Sequence, residues 1–247
     1  MIRAVIFDLG NTLITCPPWF RVELHTLVSE TLGELGRQGC LAVTTGLLEQ
    51  ADQLYAAIHE QSRTAPREIR AEEVMMQVAA ALGLTLEPGA VDAALAAVYR
   101  ACVPFVEPCG GAYETLAGLR QAGYRLAVLS NARYGPFVFW SLEAARLKPY
   151  LEAIIPSADV GWRKPSPQVF WLLLERLGVP AHEAVYIGDY YPYDIVGAKA
   201  AGMRAIWLRA PHSPVGYEAD AEVDGLAEVG PLVEYWRLEG DQGDCCT

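Results

Sequence analysis

The chain has 247 residues, of which 52% are hydrophobic and 20% are charged, and its net charge at neutral pH is −11. This length suits one large α/β domain, with or without a smaller inserted one, and the apolar content argues against a disordered chain. The acidic charge argues against nucleic acids and anionic membranes as general partners. No segment is apolar enough to span a bilayer, and Asp8 comes too early for a signal peptide, so we expect a cytoplasmic protein.

Short apolar runs predict buried strands at residues 4–7, 126–129, 153–155, 184–187 and 205–208. Between the later runs, the spacing of apolar residues predicts helices at residues 113–121, 137–147, 167–177 and 195–201. Strands that alternate with helices in this way are typical of a parallel, doubly wound sheet. The predicted fold class is therefore α/β, with a Rossmann-like core.

Residues 18–106 interrupt this alternation. Apolar residues at helical spacing predict helices at residues 22–35, 47–61, 71–82 and 91–103, with no convincing strand among them. We interpret residues 17–106 as an α-helical insertion, residues 1–16 and 107–236 as a discontinuous core domain, and residues 237–247 as a polar tail that frays.

The six cysteines are Cys16, Cys40, Cys102, Cys109, Cys245 and Cys246. They show neither the CxxC spacing nor the accompanying histidines of a metal site, so we interpret them as free thiols of a reducing compartment. The four histidines are His25, His59, His182 and His212. They are scattered without ligand spacing, and we assign them roles at the surface or as caps.

Polar side chains follow four of the predicted strands. Asp8 follows the first strand and Ser130-Asn131 the second, Lys164-Pro165 comes after the third, and Gly188-Asp189 follows the fourth, with Asp194 shortly behind. Ligands of open parallel sheets bind beyond the carboxyl ends of the strands. We therefore expect these side chains to meet in one crevice.

The charges of this group indicate its chemistry. Asp8, Asp189 and Asp194 would repel one another and raise one another's pKa, and a hard divalent cation such as Mg²⁺ would relieve that repulsion. The cation would attract a phosphate, and Ser130 and Lys164 could donate hydrogen bonds to it. Asp8 could then attack phosphorus and form an acyl-phosphate that water hydrolyses.

The order of these motifs resembles that of the haloacid dehalogenase-like (HAD) superfamily. The resemblance covers residues 1–15 and about 108–208, and it includes the stretch Ser157-Ala158-Asp159-Val160-Gly161 before Lys164 and the stretch Gly197-Ala198…Ala201-Gly202-Met203 after Asp194. The helical insertion lies where subfamily I members place their C1-type cap. The resemblance implies a Mg²⁺-dependent phosphatase that acts on a small phosphorylated molecule, and no oligomeric state follows from it.

The resemblance also implies roles for individual residues. Asp8 would be the nucleophile and a Mg²⁺ ligand, together with the backbone carbonyl of Gly10 and the carboxylate of Asp189. Asp194 would lie at the metal, where it would orient a coordinated water.

The transferring phosphate would be held by two side chains, Ser130 and Lys164. The backbone amides of Leu9, Gly10 and Asn131 would assist them.

The first motif departs from the family pattern at Gly10. HAD phosphatases usually carry a second aspartate there, which protonates the leaving group and later activates water. Glycine preserves the backbone carbonyl for the metal, but the general acid–base is lost, a contribution of about 10²–10⁴-fold in typical enzymes.

Three interpretations of this departure stay open. The first is a phosphatase that uses another acid or a substrate with a good leaving group. The second is a metal-independent 2-haloacid dehalogenase, although these enzymes resemble Asp-x-Tyr-Gly-Thr where this chain reads Asp8-Leu9-Gly10-Asn11-Thr12. The third is a catalytically weak binding or regulatory protein that keeps the fold.

Residues beside the motifs are candidates for substrate contacts. Trp19, Phe20 and Arg21 follow the first motif, and the others are Arg133, Tyr134, Trp162, Arg163, Tyr190, Tyr191 and Tyr193. We expect Trp19 and Arg21 to contact substrate, and the crowding of rings favours a sugar phosphate or another small phosphate with a stackable face. The alternative is that the rings pack the hinge between cap and core.

Arg63, Arg67 and Arg70 are interpreted as a solvated helix face.

Overall fold

The computed structural model describes residues 1–209 and 219–243, with side chains up to residue 238. Its strands are β1 (Ala4–Phe7), β2 (Ile14–Thr15), β3 (Glu107–Pro108), β4 (Arg125–Ser130), β5 (Ala153–Pro156), β6 (Ala184–Gly188), β7 (Arg204–Leu208) and β8 (Ala221–Val223). Six of the described strands form one parallel sheet in the order β5-β4-β1-β6-β7-β8. The predicted α/β fold with a doubly wound parallel sheet is confirmed.

The helices are α1 (Pro17–Arg21), α2 (Leu27–Arg37), α3 (Thr45–Arg63), α4 (Ala71–Ala81), α5 (Pro88–Cys102), α6 (Ala112–Gln121), α7 (Gly135–Ala144), α8 (Ser157–Val160), α9 (Pro167–Leu177), α10 (Tyr191–Ala200) and α11 (Val229–Gly243). Helices cover both faces of the sheet, which is why its central strands read as continuous apolar runs rather than alternating ones. In β1, Val5 and Phe7 belong to one apolar core, and Ala4 and Ile6 belong to the other.

The strand register sets the position of the crevice. Phe7, the last residue of β1, pairs with Val128 in β4 and with Ile187 in β6. The carboxyl ends of these three central strands are therefore level. The residues that follow them emerge at the same edge of the sheet, as the sequence predicts.

Helices α1 to α5 form the insertion between β1 and β4, and α2 packs against α3, α4 and α5. The sequence predicts one helix over residues 22–35, whereas the structure has α1, a π-helical turn at Val22–Thr26, and then α2. Thr26 departs from helical geometry with φ −120° and ψ 13°, which separates the two helices.

Two short strands join the insertion to the core. Ile14 in β2 pairs with Pro108 in β3, and Thr15 pairs with Glu107 in an antiparallel arrangement. The chain therefore leaves the core and returns to it side by side.

The cysteines within the described residues, Cys16, Cys40, Cys102 and Cys109, are free thiols, as predicted. Cys245, Cys246 and His212 lie outside the described residues. In the part of the chain that the structure describes, no helix is long and apolar enough to cross a membrane.

Two elements differ from the predictions at the carboxyl-terminal end of the chain. The three-residue strand β8 extends the sheet beyond β7, although its sequence, Ala-Glu-Val, gives no apolar run. Helix α11 continues to Gly243, through much of the segment assigned to a polar tail.

Candidate active site

A buried ammonium group lies at the centre of the crevice. Lys164 Nζ lies 2.6 Å from Oδ1 of Asp8, 2.6 Å from Oδ1 of Asp194, and 2.7 Å from the hydroxyl oxygen of Tyr186. The lysine is 3% exposed and Asp194 is 1% exposed. Two carboxylates thus compensate one buried cation, and the site brings together side chains that are far apart in sequence.

The backbone of Lys164 is fixed by Asn131, which follows β4. The Asn131 side-chain amide donates to the Lys164 carbonyl at 3.0 Å, and its Oδ1 accepts from the Lys164 N–H at 2.8 Å. This reciprocal pair joins the loop after β4 to the loop before α9. Ser130, the last residue of β4, precedes Asn131 and is buried in the same crevice.

Tyr186 is a member of this group that sequence reasoning missed. It accepts from Lys164, and its hydroxyl lies 3.1 Å from the Leu129 carbonyl, to which it donates. Because it lies inside β6 among apolar residues, the sequence gives no signal that separates it from an ordinary core aromatic.

Three carboxylates lie close together beside the Lys164 ammonium. Asp8, Asp189 and Asp194 each offer one oxygen, and these oxygens lie within 4.8 Å of one another. Burial, followed by the charge of Asp194, raises the pKa of Asp8 to about 6 against the opposing effect of Lys164. Burial and the charges of Asp8 and Asp194 raise the pKa of Asp189 to about 7. Oxygen ligands crowded together in this way suit Mg²⁺.

Asp194 has a second role at the start of α10. Its Oδ2 accepts from the backbone N–H of Tyr190 at 2.9 Å, while its Oδ1 contacts Lys164. The same carboxylate therefore holds the backbone at the start of α10 and balances the buried ammonium.

The space beside Gly10 is filled by aromatic rings. A Cβ atom at this position would lie 3.0 Å from the Phe20 ring and 3.2 Å from the Trp19 ring. Trp19 is buried between Phe20 and Phe137, with ring centroids 5.0 and 4.9 Å away. A side chain at position 10 would therefore fit only if the rings of α1 moved by a few tenths of an ångström, and Trp19 both packs there and lines the cavity that opens over the site.

A cavity of about 430 Å³ opens over these groups. Its floor is formed by core residues, among them Asp8, Gly10, Ser130, Lys164, Asp189 and Asp194, and its opposite wall by residues of the insertion, among them Phe20, Glu23, Leu24, His59, Arg63 and Glu68. The wall is therefore supplied by a part of the chain that is separate from the motifs.

A buried ion-pair network connects this wall to the core. Glu68 Oε1 lies 3.5 Å from Arg133 and 3.4 Å from Arg163, and its Oε2 accepts from the Ser157 hydroxyl at 2.7 Å. Arg133 also donates to the Ser62 hydroxyl at 2.6 Å. Both oxygens of the Glu68 carboxylate are engaged.

Glu23 is held differently on the same wall. Its Oε1 accepts from the Tyr99 hydroxyl at 2.8 Å, from the Trp19 indole N–H at 3.3 Å and from the Arg133 backbone N–H at 3.3 Å. Its Oε2 lies 3.4 Å from that same backbone nitrogen. Burial raises the pKa of this carboxyl above its ordinary value, against the opposing charge of Arg133.

His59, for which the sequence predicts a role at the surface or as a cap, is half-buried and lines the cavity. Burial and the neighbouring charges of Arg133, Arg163 and Arg63 lower its pKa to about 4. Its Nδ1 is buried without a hydrogen-bond partner among the described residues. The imidazole therefore stays neutral at physiological pH.

We expect His59 to make stability depend on acidity. Because the folded pKa is about 4 and the ordinary value is 6.5, the unfolded chain binds more protons between these pH values, and the contribution to stability is lost as pH falls through them. Relative to His59→Gln, the wild type should therefore lose about 1–2 kcal/mol of unfolding free energy as pH falls from 7.5 to 4.5. This figure is reduced to allow for the partial exposure of the imidazole. Urea unfolding at both pH values measures this, and a constant difference between the two proteins would contradict it.

The structure does not bring Arg21 to the site. Its side chain is exposed and pairs with Glu30 at 3.2 Å, because it points away from the face of α1 that buries Trp19. Leu9 is fully buried and contributes through its backbone, whose N–H faces the Asp8 carboxylate.

The other candidate residues divide into two groups. Phe20, Arg133, Arg163, Tyr190 and Tyr193 line the cavity. Tyr134 stacks on Tyr99 at 4.6 Å, Trp162 stacks with Arg67 at 4.4 Å, and Tyr191 packs on Trp207 at 5.1 Å. The second group does not line the cavity and mainly packs its surroundings.

The three arginines near residue 65 do not share a helix face, so that prediction was wrong. Arg63 ends α3 and lines the cavity, whereas Arg67 stacks on Trp162 and Arg70 lies near Glu72 at 3.5 Å. The helix ends at Arg63, which places the last two in the loop that follows.

A sequence profile of the haloacid dehalogenase-like hydrolase family matches residues 5–208. The chain belongs to this family. Among curated relatives, glyceraldehyde 3-phosphate phosphatase of Pyrococcus abyssi is 26% identical over 216 residues, covering 85% of this chain and 82% of that protein. Phosphoglycolate phosphatase of Pectobacterium atrosepticum is 28% identical over 242 residues, covering 94% and 92%.

Solved structures of HAD proteins share the fold. The HAD phosphatase of Thermococcus onnurineus superposes with a TM-score of 0.66 at 24% identity, covering 94% of this chain and 98% of that one. The 2-haloacid dehalogenase of Pseudomonas syringae pv. Tomato superposes with a TM-score of 0.72 at 24% identity, covering 96% and 100%. The predicted HAD family and its enzyme class, a hydrolase with phosphatase relatives, are confirmed.

Proposed function

We propose that this HAD protein is a Mg²⁺-dependent phosphatase that hydrolyses a small phosphate monoester through an aspartyl-phosphate on Asp8. The observation that carries the proposal is the joint placement of Asp8, Asp189 and Asp194 within 4.8 Å of one another, with the Lys164 ammonium 2.6 Å from Asp8. An attacking carboxylate, a cation site and a phosphate-binding ammonium then share one crevice.

The donor set fits a hard cation. The raised pKa values of Asp8 and Asp189 reflect burial and mutual repulsion, which a divalent ion would relieve. Asp8, Asp189, Asp194 and the Gly10 carbonyl would hold Mg²⁺, which when bound would neutralise charge that develops on the phosphoryl group.

The side chains of the crevice would divide the work as follows. Lys164 keeps Asp8 ionised and, with Ser130, donates hydrogen bonds to the phosphate oxygens. An Asp8 carboxylate oxygen bonds to phosphorus as the bond to the leaving oxygen breaks. Water then attacks phosphorus, which releases phosphate and restores the carboxylate.

The cavity favours a small leaving group. Its volume of about 430 Å³ is near the lower end for small-molecule sites, and Arg63, Arg163 and neutral His59 line it. Trp19 is already stacked in the hinge region, which weakens the idea of a stacked sugar ring. The relatives named for glyceraldehyde 3-phosphate and phosphoglycolate support a small phosphorylated metabolite as substrate.

We further propose that residues 17–106 act as a cap over a core of residues 1–16 and 107–236. The insertion supplies one wall of the cavity, and both chain connections to the core run through the β2–β3 pair. Movement about this connection would admit substrate and then exclude water.

Metal removal tests the proposed function. Treatment with EDTA should lower phosphate release from p-nitrophenyl phosphate and 2-phosphoglycolate by about 100-fold or more, since the cation contributes several kcal/mol at the transition state. Excess Mg²⁺ should restore it.

The alternatives give different results in the same experiment. Metal-independent halide release from 2-chloropropionate would favour a dehalogenase, and a folded protein with neither activity would favour a binding or regulatory role. A wider panel of phosphorylated metabolites would then identify the substrate.

A further inference from the structure

The missing acid at position 10 leaves the leaving group without an evident proton donor. An alkoxide is a poor leaving group, so hydrolysis of an alkyl phosphate needs a positioned acid, and the second half-reaction needs a base for water. Besides the carboxylates of the proposed metal site, the residues lining the cavity include Glu23, His59 and Glu68 as candidates on the opposite wall.

Two of these three candidates are unsuited to proton transfer. Glu68 has both carboxylate oxygens engaged, by Arg133 and Arg163 on one side and by the Ser157 hydroxyl on the other. His59 is not an imidazolium near neutral pH, because burial and the charges of three arginines favour its neutral form, so it is a poor proton donor to the leaving group.

Glu23 has a fixed orientation and, within the described part of the chain, no ion pair, unlike Glu68. Oε1 accepts three hydrogen bonds, from Trp19, Tyr99 and the Arg133 backbone, which fix the orientation of the carboxyl. Among the described residues, Oε2 accepts only from the same Arg133 nitrogen, at 3.4 Å, so it can carry a proton. The residue lines the same cavity as Asp8.

Glu23 is also linked to the packing around Gly10. Trp19, whose ring would lie 3.2 Å from a Cβ atom at position 10, comes four residues before Glu23 and donates to it. Residues 19–23 therefore place a ring beside position 10, where the usual acid would lie, and bring the Glu23 carboxyl to the cavity. We propose that Glu23 is the general acid–base of this enzyme, an inference that rests on the proposed phosphatase function.

The proton transfers balance across the two steps. In the first, the Glu23 carboxyl gives its proton to the leaving oxygen as the P–O bond breaks and Asp8 bonds to phosphorus. In the second, the resulting carboxylate takes a proton from the attacking water. The Asp8–phosphorus bond then breaks, which releases phosphate and regenerates both residues.

The surroundings of Glu23 support its acid form. The titratable or charged groups that face it are Arg133, Tyr99, Glu68, Tyr55 and Cys102. Burial outweighs the attraction of Arg133 and raises the pKa of Glu23 above its ordinary value. Since the acid form is needed in the first step, kcat/KM should fall as pH rises through that pKa.

Glu23→Gln tests the proposal with two small substrates that differ in leaving group. For benzyl phosphate, whose alkoxide needs protonation, kcat/KM should fall by about 10²–10⁴-fold. For p-nitrophenyl phosphate, whose phenolate departs without a proton, kcat/KM should fall by less than about tenfold. The alkaline limb of the pH profile for benzyl phosphate should disappear. Glu49→Gln, an exposed glutamate on α3 outside the cavity, is the matched control and should change neither.

Further measurements separate the proposal from a structural role. Restoration of benzyl phosphate hydrolysis in Glu23→Ala by added formate would support proton transfer at this place. Equal losses for both substrates in a variant with wild-type melting temperature, with the pH profile unchanged, would overturn it. If the wild-type protein releases phosphate from neither substrate with Mg²⁺ present, the proposed phosphatase function fails, and the inference falls with it.

Discussion

Replacement of Asp8 by asparagine should lower kcat/KM for phosphate release by about 10⁴-fold or more, by analogy with the loss of other enzymic nucleophiles. The amide cannot attack phosphorus, and it offers one oxygen to a cation instead of two. The melting temperature should change little, because Lys164 keeps its 2.6 Å contact with Asp194 when the Asp8 charge is removed. Steady-state kinetics with p-nitrophenyl phosphate and a thermal unfolding curve measure both quantities.

A second readout makes this test specific. Rapid quenching of the wild-type reaction should trap phosphate on the protein in a form labile to hydroxylamine, and Asp8→Asn should trap none. Asp224→Asn, an exposed surface carboxylate paired with Arg209, is the matched control and should keep full activity. Residual activity of Asp8→Asn above about one tenth of wild type would exclude Asp8 as the nucleophile.

Replacement of Lys164 by methionine should damage stability as well as activity. The substitution leaves Asp8 and Asp194 buried without their cation, and breaking a buried pair in this way costs about 3–5 kcal/mol. Phosphate release should fall at the same time, because Lys164 both holds Asp8 ionised and donates to the phosphate. Urea unfolding at neutral pH measures the first effect, and steady-state assays measure the second.

The loss of stability should depend on pH in a defined direction. As pH falls through the Asp8 pKa of about 6 and Asp8 takes up a proton, the repulsion between Asp8 and Asp194 in Lys164→Met and the attraction of Asp8 to Lys164 in the wild type both disappear. The difference in unfolding free energy between wild type and Lys164→Met should therefore become smaller as pH falls. Lys148→Met, which removes an exposed pair with Glu143, should cost at most about 1 kcal/mol. Equal effects of the two substitutions would contradict the central position of Lys164.

The core of the fold could be predicted because its signals are local. Buried parallel strands read as apolar runs, and their level carboxyl ends bring the following residues together. The sequence therefore predicts that Asp8, Lys164, Asp189 and Asp194 meet in one crevice, and the structure places them together. The helix at Pro167–Leu177 was predicted with its observed bounds.

The opposite wall could not be predicted in the same way. Contacts such as Glu68 with Arg163 join the insertion to the core, and they depend on how two separately packed units meet. Arg21 and Trp19 illustrate the local form of this difficulty. They are two positions apart on a short helix, so the Trp19 side chain faces the core and the Arg21 side chain faces solvent. The sequence names both as candidates and does not fix the helix rotation that distinguishes them.

Because the packing around Gly10 is close, the side chains that fit at positions 10, 19 and 20 depend on one another. An aspartate at position 10, as in the first motif of most HAD phosphatases, would place its Cβ 3.0 Å from the Phe20 ring and 3.2 Å from the Trp19 ring, so both rings would have to move by a few tenths of an ångström. A smaller residue at position 19 or 20 would relieve this contact. Across relatives, the residue at this position and the bulk of the following segment should accordingly vary together.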